Sequence, residues 1–321
     1  MLCPTALSAG AKETKTVRLG GQAFGVKFFS DGVMVVELED FYSGGRYVCP
    51  ARDSGLCEGD IIKSINGQAV NTNEDVQRAT FQSAGEPLKM TLERGGKELI
   101  KTVIPKKNTA GAYLSGAWVR DSCAGIGTVT YYDDEEGCFA ALGHGICDND
   151  TSALMPLGSA EVVSVDIGSV TKSSEGKAGS LNGCFGDKTL GTLTENTDCG
   201  VFGTVSDRNA QKGVELELAE NGEIKVGKAE MYTTVSGSSV GCYEVEITKI
   251  RNTDSDSNEN LVIRVTDDEL LECCGGIVQG MSGSPIVQDG KLVGAVTHVF
   301  LNDPSEGYGI TARNMASNYK E

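Results

Sequence analysis

The sequence predicts a mainly β protein in which a small α+β domain precedes an antiparallel β-barrel or a pair of barrels. Three observations predict this class: the 321 residues include 42 glycines but only 7 prolines, helical periodicity is scarce, and short apolar runs alternate with glycine turns. A chain of this length allows two domains, each with its own core. The pattern divides it into a tail at residues 1–19, a small domain at 20–105, a linker at 106–115 and a barrel domain at 116–321.

The N-terminal tail leaves two interpretations open. Its small residues are similar to the end of a secretory signal, but a basic start and a full apolar core are missing. The tail is either the remnant of an export signal whose beginning lies outside this chain or a flexible terminus. No stretch of the sequence reaches the roughly 20 apolar residues that a membrane-spanning helix requires.

The small domain begins with an apolar strand at 33–38 and continues into the run GDIIKSINGQAV at 59–70, a strand that closes on an Asn-Gly turn. Thr72, followed three residues later by an aspartate, predicts the N-cap of a helix that runs to about Ser83. Gly85 then ends the helix, and apolar residues that alternate around a Gly-Gly turn predict a hairpin after it. Strand, helix and hairpin together indicate a small α+β module.

This module resembles a PDZ domain, particularly the PDZ domains of bacterial proteases. In that family a loop before a strand captures a peptide carboxylate and adds the peptide to the sheet as an extra strand. The resemblance implies that the peptide-binding loop consists of Ala23, Phe24, Gly25 and Val26, while the run at 59–70 is the more specific half of the match. The alternative is a small α+β module that binds no ligand.

The barrel domain is predicted from short strands separated by glycine turns. The predicted strands lie at residues 127–132, 138–142, 161–167, 200–205, 214–219, 229–235, 242–250 and 260–266. A last hairpin joins two apolar runs through Asp289-Gly290. A series of short antiparallel strands of this kind is typical of barrels.

Charge and cysteine content exclude several function classes. The formal net charge of −17 argues against nucleic acid and against anionic membrane surfaces as partners. The eleven cysteines include no Cys-x-x-Cys pair and no Cys/His cluster with zinc spacing, so we expect neither a metal nor another cofactor. Buried free thiols are the expected state of most of these cysteines.

The stretch GMSGSP at residues 280–285 is not needed for the hairpin that follows it, and its residue types suit a nucleophile. A serine hydroxyl is a poor nucleophile near pH 7 and needs a base, together with donors for the oxyanion that it generates. Gly280 can turn its N–H toward the same point as the N–H of Ser282, and Gly283 leaves room beside the attacked carbonyl. The stretch therefore predicts Ser282 as the nucleophile, with Gly280 and Ser282 as the oxyanion hole.

The base is predicted from the two histidines of the chain. His144 ends an apolar strand on a Gly-His-Gly loop and precedes the serine in the sequence, which is the His-before-Ser order of chymotrypsin-like enzymes. We therefore predict His144 as the base and interpret His298 as a structural residue or as part of the substrate cleft.

A third residue, a carboxylate, is needed to fix the tautomer of the imidazole. The residues alone leave this choice open, although the spacing from the base favours Asp166. The candidates include Asp148, Asp150, Asp166, Asp267 and Asp268.

Three blocks of the sequence resemble the SpoIVB-like (stage IV sporulation protein B) serine peptidases. They lie at residues 117–128, at 141–146 and, above all, at 275–308. Together with the PDZ-like module, the resemblance extends over nearly the whole chain. It implies a PDZ domain joined to a chymotrypsin- or trypsin-like antiparallel β-barrel peptidase, with Ser282 as nucleophile and His144 as base.

The resemblance also implies an acid and a biological role. The aspartate of the family lies in a Thr-Asp pair before Leu-Leu, which matches Asp267 in this chain. The implied function is a serine endopeptidase of sporulation signalling that cleaves a membrane-associated regulator and thereby activates a late mother-cell sigma factor. The implied location is extracytoplasmic, between the mother-cell and forespore membranes, with membrane association only through partners or through a missing N-terminal segment.

Two alternative functions stay open at this point. One is a catalytically inactive PDZ and protease-like scaffold that binds partners. The other is a general extracytoplasmic quality-control protease, although such enzymes usually carry the PDZ domain after the protease domain.

Overall fold

The computed structural model describes residues 15–206, 213–251 and 257–319, so the predicted tail lies outside the described residues up to residue 14. The strands are β1 (Thr16–Leu19), β2 (Ala23–Leu38), β3 (Phe41–Ser43), β4 (Arg46–Val48), β5 (Ile61–Ile65), β6 (Gln68–Ala69), β7 (Leu88–Arg94), β8 (Lys97–Val103), β9 (Lys106–Lys107), β10 (Tyr113–Leu114), β11 (Ala117–Asp133), β12 (Cys138–Ala141), β13 (Leu157–Thr171), β14 (Ser180–Thr197), β15 (Gly200–Val205), β16 (Glu215–Leu218), β17 (Gly227–Thr233), β18 (Gly241–Ile250), β19 (Leu261–Val265), β20 (Pro285–Gln288), β21 (Lys291–Val299) and β22 (Glu306–Thr311). The helices are α1 (Pro50–Asp53), α2 (Asn73–Gln82), α3 (Asp268–Cys274) and α4 (Ala312–Ser317), with a 3₁₀ turn at Asn221–Glu223. None of the helices in these ranges is long and apolar enough to cross a membrane.

Two six-stranded antiparallel barrels form most of the molecule. In the first, β2 pairs with β11, β11 with β12, β12 with β15, β15 with β14, β14 with β13, and β13 again with β2. In the second, β17, β18, β19, β22, β21 and β20 close in the same order. When the strands of each barrel are numbered from 1 to 6 along the chain, both barrels have the order 1-2-3-6-5-4. The double barrel therefore has a trypsin-like fold, and this prediction is confirmed.

Each barrel is filled by its own apolar core. Phe24, Phe28 and Val201 are fully or almost fully buried in the first barrel, while Met231 and Ile247 are fully buried in the second. Each such side chain contributes about 1.5–3 kcal/mol to the stability of the fold.

The PDZ domain forms between β2 and β8, as the sequence predicts. Helix α2 begins at a complete capping box, in which the Thr72 hydroxyl accepts from the Asp75 N–H and the Asp75 carboxylate accepts from the Thr72 N–H. The chain leaves the helix through two left-handed residues, Ala84 (φ 50°) and Gly85 (φ 92°). The fully buried carboxylate of Asp60 forms an ion pair with Arg94 that joins the loop before β5 to β7.

The predicted peptide-binding loop of the PDZ domain is instead part of the first barrel. Ala23, Phe24, Gly25 and Val26 begin the 16-residue strand β2 and pair with β11 on one side, while Phe24, Gly25 and Val26 pair with β13 on the other. A peptide needs a free strand edge in order to join a sheet. Since barrel strands occupy both edges of this segment, the prediction of a carboxylate-binding loop at these four residues is wrong.

The same pairing moves the predicted domain boundary. Residues 23–30 complete the first barrel through β11 and β13, and only from Val33, which pairs with Ile62 of β5, does β2 belong to the PDZ domain. The predicted start of the PDZ domain at residue 20 is therefore wrong. β2 and β11 each pass through both domains as one strand.

The cysteines are less buried than predicted from the sequence. The ten cysteines in the described ranges are free thiols, and four of them, Cys49, Cys138, Cys199 and Cys274, are buried. The remaining six are exposed or half-buried, so the expectation that most are buried is wrong.

Candidate active site

The loop that carries His144 follows β12 at the junction of the two barrels. Leu142 (φ 67°) and Gly143 (φ 69°) are both left-handed, which turns the chain sharply at the end of the strand. A Cβ on Gly143 would lie 2.9 Å from the Thr297 side chain of the second barrel. The left-handed backbone of Leu142 is strained, because its side chain disfavours this conformation. The turn directs His144 toward the second barrel.

The loop that carries Ser282 precedes β20 and is bound to the first barrel through the main chain. The Thr128 N–H donates to the Ser282 carbonyl (3.0 Å), and the Thr128 hydroxyl donates to the Gly280 carbonyl (2.8 Å). A Cβ on Gly283 (φ 91°) would lie 2.1 Å from the Thr128 carbonyl oxygen and 2.4 Å from the Leu142 nitrogen. Gly283 therefore allows the serine loop to contact the start of the histidine loop.

His144 and Ser282 line one cleft between the barrels, with a volume of about 650 Å³. His298 lines the same cleft, and its ring centroid lies 5.0 Å from that of His144. The lining side chains in the described ranges include no Asp, Glu, Lys or Arg. The structure thus brings the predicted nucleophile and base together in an uncharged cleft and assigns His298 to its wall.

In this structure both side chains are hydrogen-bonded to main-chain carbonyls. The Ser282 hydroxyl donates to the Thr297 carbonyl (2.9 Å). His144 Nδ1 lies 2.8 Å from the Gly145 carbonyl oxygen, and because a carbonyl only accepts, Nδ1 carries the hydrogen. Burial lowers the pKa of His144 to about 4. The imidazole is therefore neutral near pH 7, and Nε2 is the nitrogen that can accept a proton.

The main chain around Ser282 offers two free donors. Among the described residues, neither the Gly280 N–H nor the Ser282 N–H has a hydrogen-bond acceptor. Gly280 has a φ of 102°, a backbone conformation that favours glycine. Two unpaired N–H groups beside a serine are what an oxyanion hole requires.

Asp267 does not reach the imidazole. Its Oδ1 accepts from the Leu270 N–H (3.0 Å) and its Oδ2 from the Glu244 N–H (3.2 Å), because Asp267 is the N-cap of α3. It does not line the cleft. These contacts contradict the prediction that Asp267 orients the base.

Asp166, the other candidate acid, lies in β13 opposite Cys184 of β14. Its side chain is exposed and it does not line the cleft either. In the described part of the chain, no group of three or more His, Cys, Asp or Glu residues is arranged to hold a metal ion.

Strand β14, whose last residues contact the histidine loop, was missed in the sequence. β14 (Ser180–Thr197) was not predicted; Asn196 and Thr197 end this strand, and Asp198 lies in the turn that leads to β15. A turn signal was present in the sequence, because Asp198 lies two residues before Gly200, where the predicted strand at 200–205 begins.

The double barrel with its cleft and the adjoining PDZ domain define a trypsin-like serine peptidase with a PDZ domain. Residues 111–316 match the family described as SpoIVB peptidase S55, and residues 48–94 match the PDZ domain family. The first match covers more than half of the chain. The protein belongs to the SpoIVB peptidase S55 family and is a serine peptidase.

Individual relatives match shorter parts of the chain. The putative serine protease HhoB of Synechocystis is 34% identical over 93 residues, which are 29% of this chain and 21% of HhoB. Serine protease HTRA1 of Xenopus tropicalis is 40% identical over 79 residues, 22% of this chain and 17% of HTRA1. The chain thus spans about a fifth of the length of the curated relatives that it matches.

Two solved structures show partial likeness. The Rv3671c protease from M. tuberculosis in its active form is 15% identical with a TM-score of 0.38, over 61% of this chain and 72% of that one. The PDZ domain of an SdrC-like protein from Listeria monocytogenes is 23% identical with a TM-score of 0.24, over 28% of this chain and 87% of that one.

Proposed function

We propose that this serine peptidase is an endopeptidase of sporulation signalling in which Ser282 is the nucleophile and His144 the base. The observation that carries the catalytic part is the convergence of the two loops on one cleft, where Gly283 packs against the Leu142 nitrogen. His144 Nε2 takes the hydroxyl proton of Ser282 as the serine oxygen attacks a peptide carbonyl. The N–H groups of Gly280 and Ser282 receive the oxyanion.

The second half of the reaction follows from the same groups. The imidazolium returns its proton to the leaving amine, and the peptide bond breaks to leave an acyl group on Ser282. Water, deprotonated by His144, then hydrolyses this ester. Both side chains must first leave their carbonyl partners, Thr297 and Gly145, so the structure corresponds to a resting arrangement.

The proposed substrate is a membrane-associated regulatory protein whose cleavage activates a late mother-cell sigma factor. Membership of the SpoIVB peptidase family supports this role. It also supports an exported or membrane-associated enzyme, acting in the space between the mother-cell and forespore membranes. With a net charge of −17, the enzyme would approach that membrane through a protein partner rather than through anionic lipid.

The PDZ domain is proposed to bind a peptide of the substrate or partner on the free edge of β11. Residues 117–120 of β11 pair with β2 on one side, and in the described ranges no strand pairs with the other side. That side faces α2, whose Asn73 N–H is bound by Asp121 of β11 (2.9 Å). A strand edge beside a helix is where a PDZ domain adds a peptide to its sheet.

Replacing Ser282 tests the catalytic proposal. We expect Ser282→Ala to lower kcat for a protein substrate by about 10⁶-fold, since the nucleophile is lost. Reaction with a fluorophosphonate, followed by mass spectrometry, should label Ser282 in the unmodified enzyme. The matched control is Ser284→Ala two residues away, because the buried Ser284 hydroxyl has no hydrogen-bond partner among the described residues. Its loss should leave activity unchanged.

The two alternative functions give different results in the same experiments. A scaffold would support sigma-factor activation in cells equally well with Ser282→Ala and would not react with the fluorophosphonate. A general quality-control protease would digest unfolded casein efficiently and without selectivity. Either result would contradict the proposed function.

A further inference from the structure

Two adjacent cysteines end the helix that precedes the serine loop. Cys273 and Cys274 are the last residues of α3, and their Sγ atoms lie 3.1 Å apart, compared with about 2.05 Å in a disulfide bond. Cys273 is half-buried, whereas Cys274 is fully buried. One thiol of the pair can therefore be reached from solution, and the second thiol is in contact with the first.

Ser173 fixes the end of α3 to the connection between β13 and β14. The Cys274 carbonyl accepts from the Ser173 N–H (2.8 Å), and a Cβ on Gly275 would lie 2.4 Å from the Ser173 carbonyl oxygen. The hydroxyl of the buried Ser173 donates to the Ile277 carbonyl (2.8 Å). Ser173 therefore holds both the end of the helix and Ile277, which lines the cleft.

The segment that follows the two cysteines forms a wall of the cleft and leads to the proposed oxyanion hole. Residues 277–280 all line the cleft. The Gln279 N–H donates to the Gly179 carbonyl (2.9 Å), and the Gln279 carbonyl accepts from the Leu181 N–H (2.8 Å). A change of backbone at the end of α3 is therefore transmitted to the Gly280 N–H over a short segment that is hydrogen-bonded along its length.

A disulfide between adjacent residues does not fit the backbone of an α-helix. Cysteines joined by a disulfide usually have α-carbons about 4.4–6.8 Å apart, whereas consecutive α-carbons across a trans peptide are only about 3.8 Å apart. A bond between Cys273 and Cys274 therefore requires the backbone to leave its helical angles. This change would disrupt the bond from the Gly275 N–H to the Leu271 carbonyl (2.9 Å), which ends α3, and the bond from Ser173 to Cys274.

We propose that Cys273 and Cys274 form a reversible redox modification site, at which a low-molecular-weight disulfide oxidises the pair and thereby distorts the oxyanion hole. The Cys273 thiolate attacks one sulfur of the small disulfide, forms a mixed disulfide and releases the first small thiolate. Cys274 loses its proton and displaces the second small thiolate, which closes the bond between the two cysteines. The pair gives up two electrons and two protons, and the small disulfide takes them up to become two thiols.

The different burial of the two cysteines assigns their roles in this exchange. Burial and the hydrogen bond with Cys273 raise the pKa of Cys274, so Cys274 is a thiol near pH 7 and does not start the exchange. Cys273 packs against the core of the second barrel and is only half-buried, which favours a small reagent over another protein. Because strained disulfides are readily reduced, we expect the modification to be reversed by thiols.

The test incubates the full chain with oxidised glutathione, alkylates the remaining free thiols and follows the pair by mass spectrometry. We expect the peptide that contains Cys273 and Cys274 to become two hydrogen atoms lighter, with neither alkylation nor bound glutathione. Labelling of Ser282 by the fluorophosphonate should then slow by about 100-fold, because a misplacement of about 1 Å in an active site has an effect of this size. Dithiothreitol should restore both the thiols and the labelling rate.

Two variants separate this site from the other thiols of the chain. Cys273→Ser should keep its labelling rate during oxidation, because the attacking thiol is absent. Cys274→Ala should stop at the mixed disulfide, so that one glutathione stays on Cys273. The matched control is Cys184→Ser, which removes an exposed thiol from β14 and should respond to oxidation as the unmodified enzyme does. Thermal unfolding shows that each variant is folded.

Two results would overturn the inference. In the first, both cysteines of the oxidised sample are still alkylated, so that no bond has formed between them. In the second, folded Cys273→Ser loses labelling during oxidation as the unmodified enzyme does. This result would assign the effect to another thiol, such as the exposed Cys147 of the cleft.

Failure of this inference is distinguishable from failure of the proposed function. Mass detects the disulfide directly, and only its effect on Ser282 rests on the proposed function. If the reduced enzyme is labelled at Ser282 and cleaves protein, but the pair is not oxidised or its oxidation leaves labelling unchanged, then the function stands and the redox inference fails. If the reduced enzyme is not labelled, the proposed function fails, and the mass of the pair still decides whether the modification site exists.

Discussion

Gly283 is a residue at which the serine loop lies directly against the start of the histidine loop. It has a left-handed backbone, with φ 91°, and its α-carbon faces both Thr128 and Leu142. Backbone atoms cannot move away as the end of a flexible side chain can. A single added methyl group would therefore push apart the two loops on which the proposed nucleophile and base depend.

We expect Gly283→Ala to lower the free energy of unfolding by about 3 kcal/mol and to reduce kcat strongly, because the methyl group would overlap the Thr128 and Leu142 main chain. Urea unfolding and steady-state kinetics measure the two effects. Gly290→Ala is the matched control: Gly290 also has a positive φ, 77°, but a Cβ there would meet no atom of the described part of the chain within 4 Å. Gly290→Ala should lower the free energy of unfolding by only about 1 kcal/mol. Equal losses of stability in the two variants would contradict the proposal that Gly283 is needed because main-chain atoms lie so close to it.

At the residue scale, the sequence was informative where chemistry restricts the choice. Ser282 and His144 could be proposed from the sequence because few residue types serve as nucleophile or base, and both have glycines close by on either side. Asp267 was misleading because Thr-Asp before an apolar run is also the signal of a helix N-cap, and this is the role that the structure gives it. A carboxylate is common enough that only its three-dimensional position identifies its partner.

At the element scale, strands β2 and β14 explain what the sequence could not predict. A β-strand signal is a run of apolar or alternating residues, and such runs predicted most barrel strands and the PDZ elements. β14 contains Asn182-Gly183 and Gly186-Asp187, which are typical of turns, and its pairing with β13 and β15 overrides that local preference. The start of β2 was mistaken for a loop because pairing on both edges is a long-range property.

The role of β2 in the first barrel predicts how truncated chains behave. A chain that begins at residue 106 would lack residues 23–30, so β11 and β13 would each lose a neighbouring strand. We expect this fragment to lack a cooperative unfolding transition and to aggregate through the exposed strand edges. Circular dichroism during heating and analytical gel filtration test this expectation.

The control for this truncation keeps β2 and removes the PDZ domain. Leu38 pairs with Ala117, so residues 39–116 can be replaced by a short glycine-rich turn that leaves the β2–β11 hairpin closed. This variant should fold and cleave a short peptide, while a peptide ligand of the intact enzyme should no longer bind. A stably folded fragment from residue 106 would contradict the assignment of residues 23–30 to the barrel.

At the scale of the whole molecule, the candidate site belongs to neither barrel alone. The first barrel supplies the histidine loop, whereas the second supplies Ser282 and Thr297. β11 passes from the PDZ domain, where Ala117 pairs with Leu38, to Thr128, which is bonded to the Ser282 carbonyl. The position of Ser282 therefore depends on the first barrel as well as on the second barrel, which carries it.

The composition of the cleft between the barrels predicts the kind of peptide that is cleaved. Its described lining contains no charged side chain and includes Ile126, Leu142 and Val299. A charged substrate side chain that entered it would lose water without gaining an ionic partner. We expect peptides with leucine or valine next to the scissile bond to exceed the corresponding arginine or aspartate peptides about 100-fold in kcat/KM, measured with matched fluorogenic series. Ala124 lies at an exposed position of the same lining, so Ala124→Asp should raise the rate for arginine peptides relative to leucine peptides. Faster cleavage of arginine peptides than of leucine peptides by the unmodified enzyme would contradict this expectation, because it would show that charge in the substrate is recognised outside this cleft.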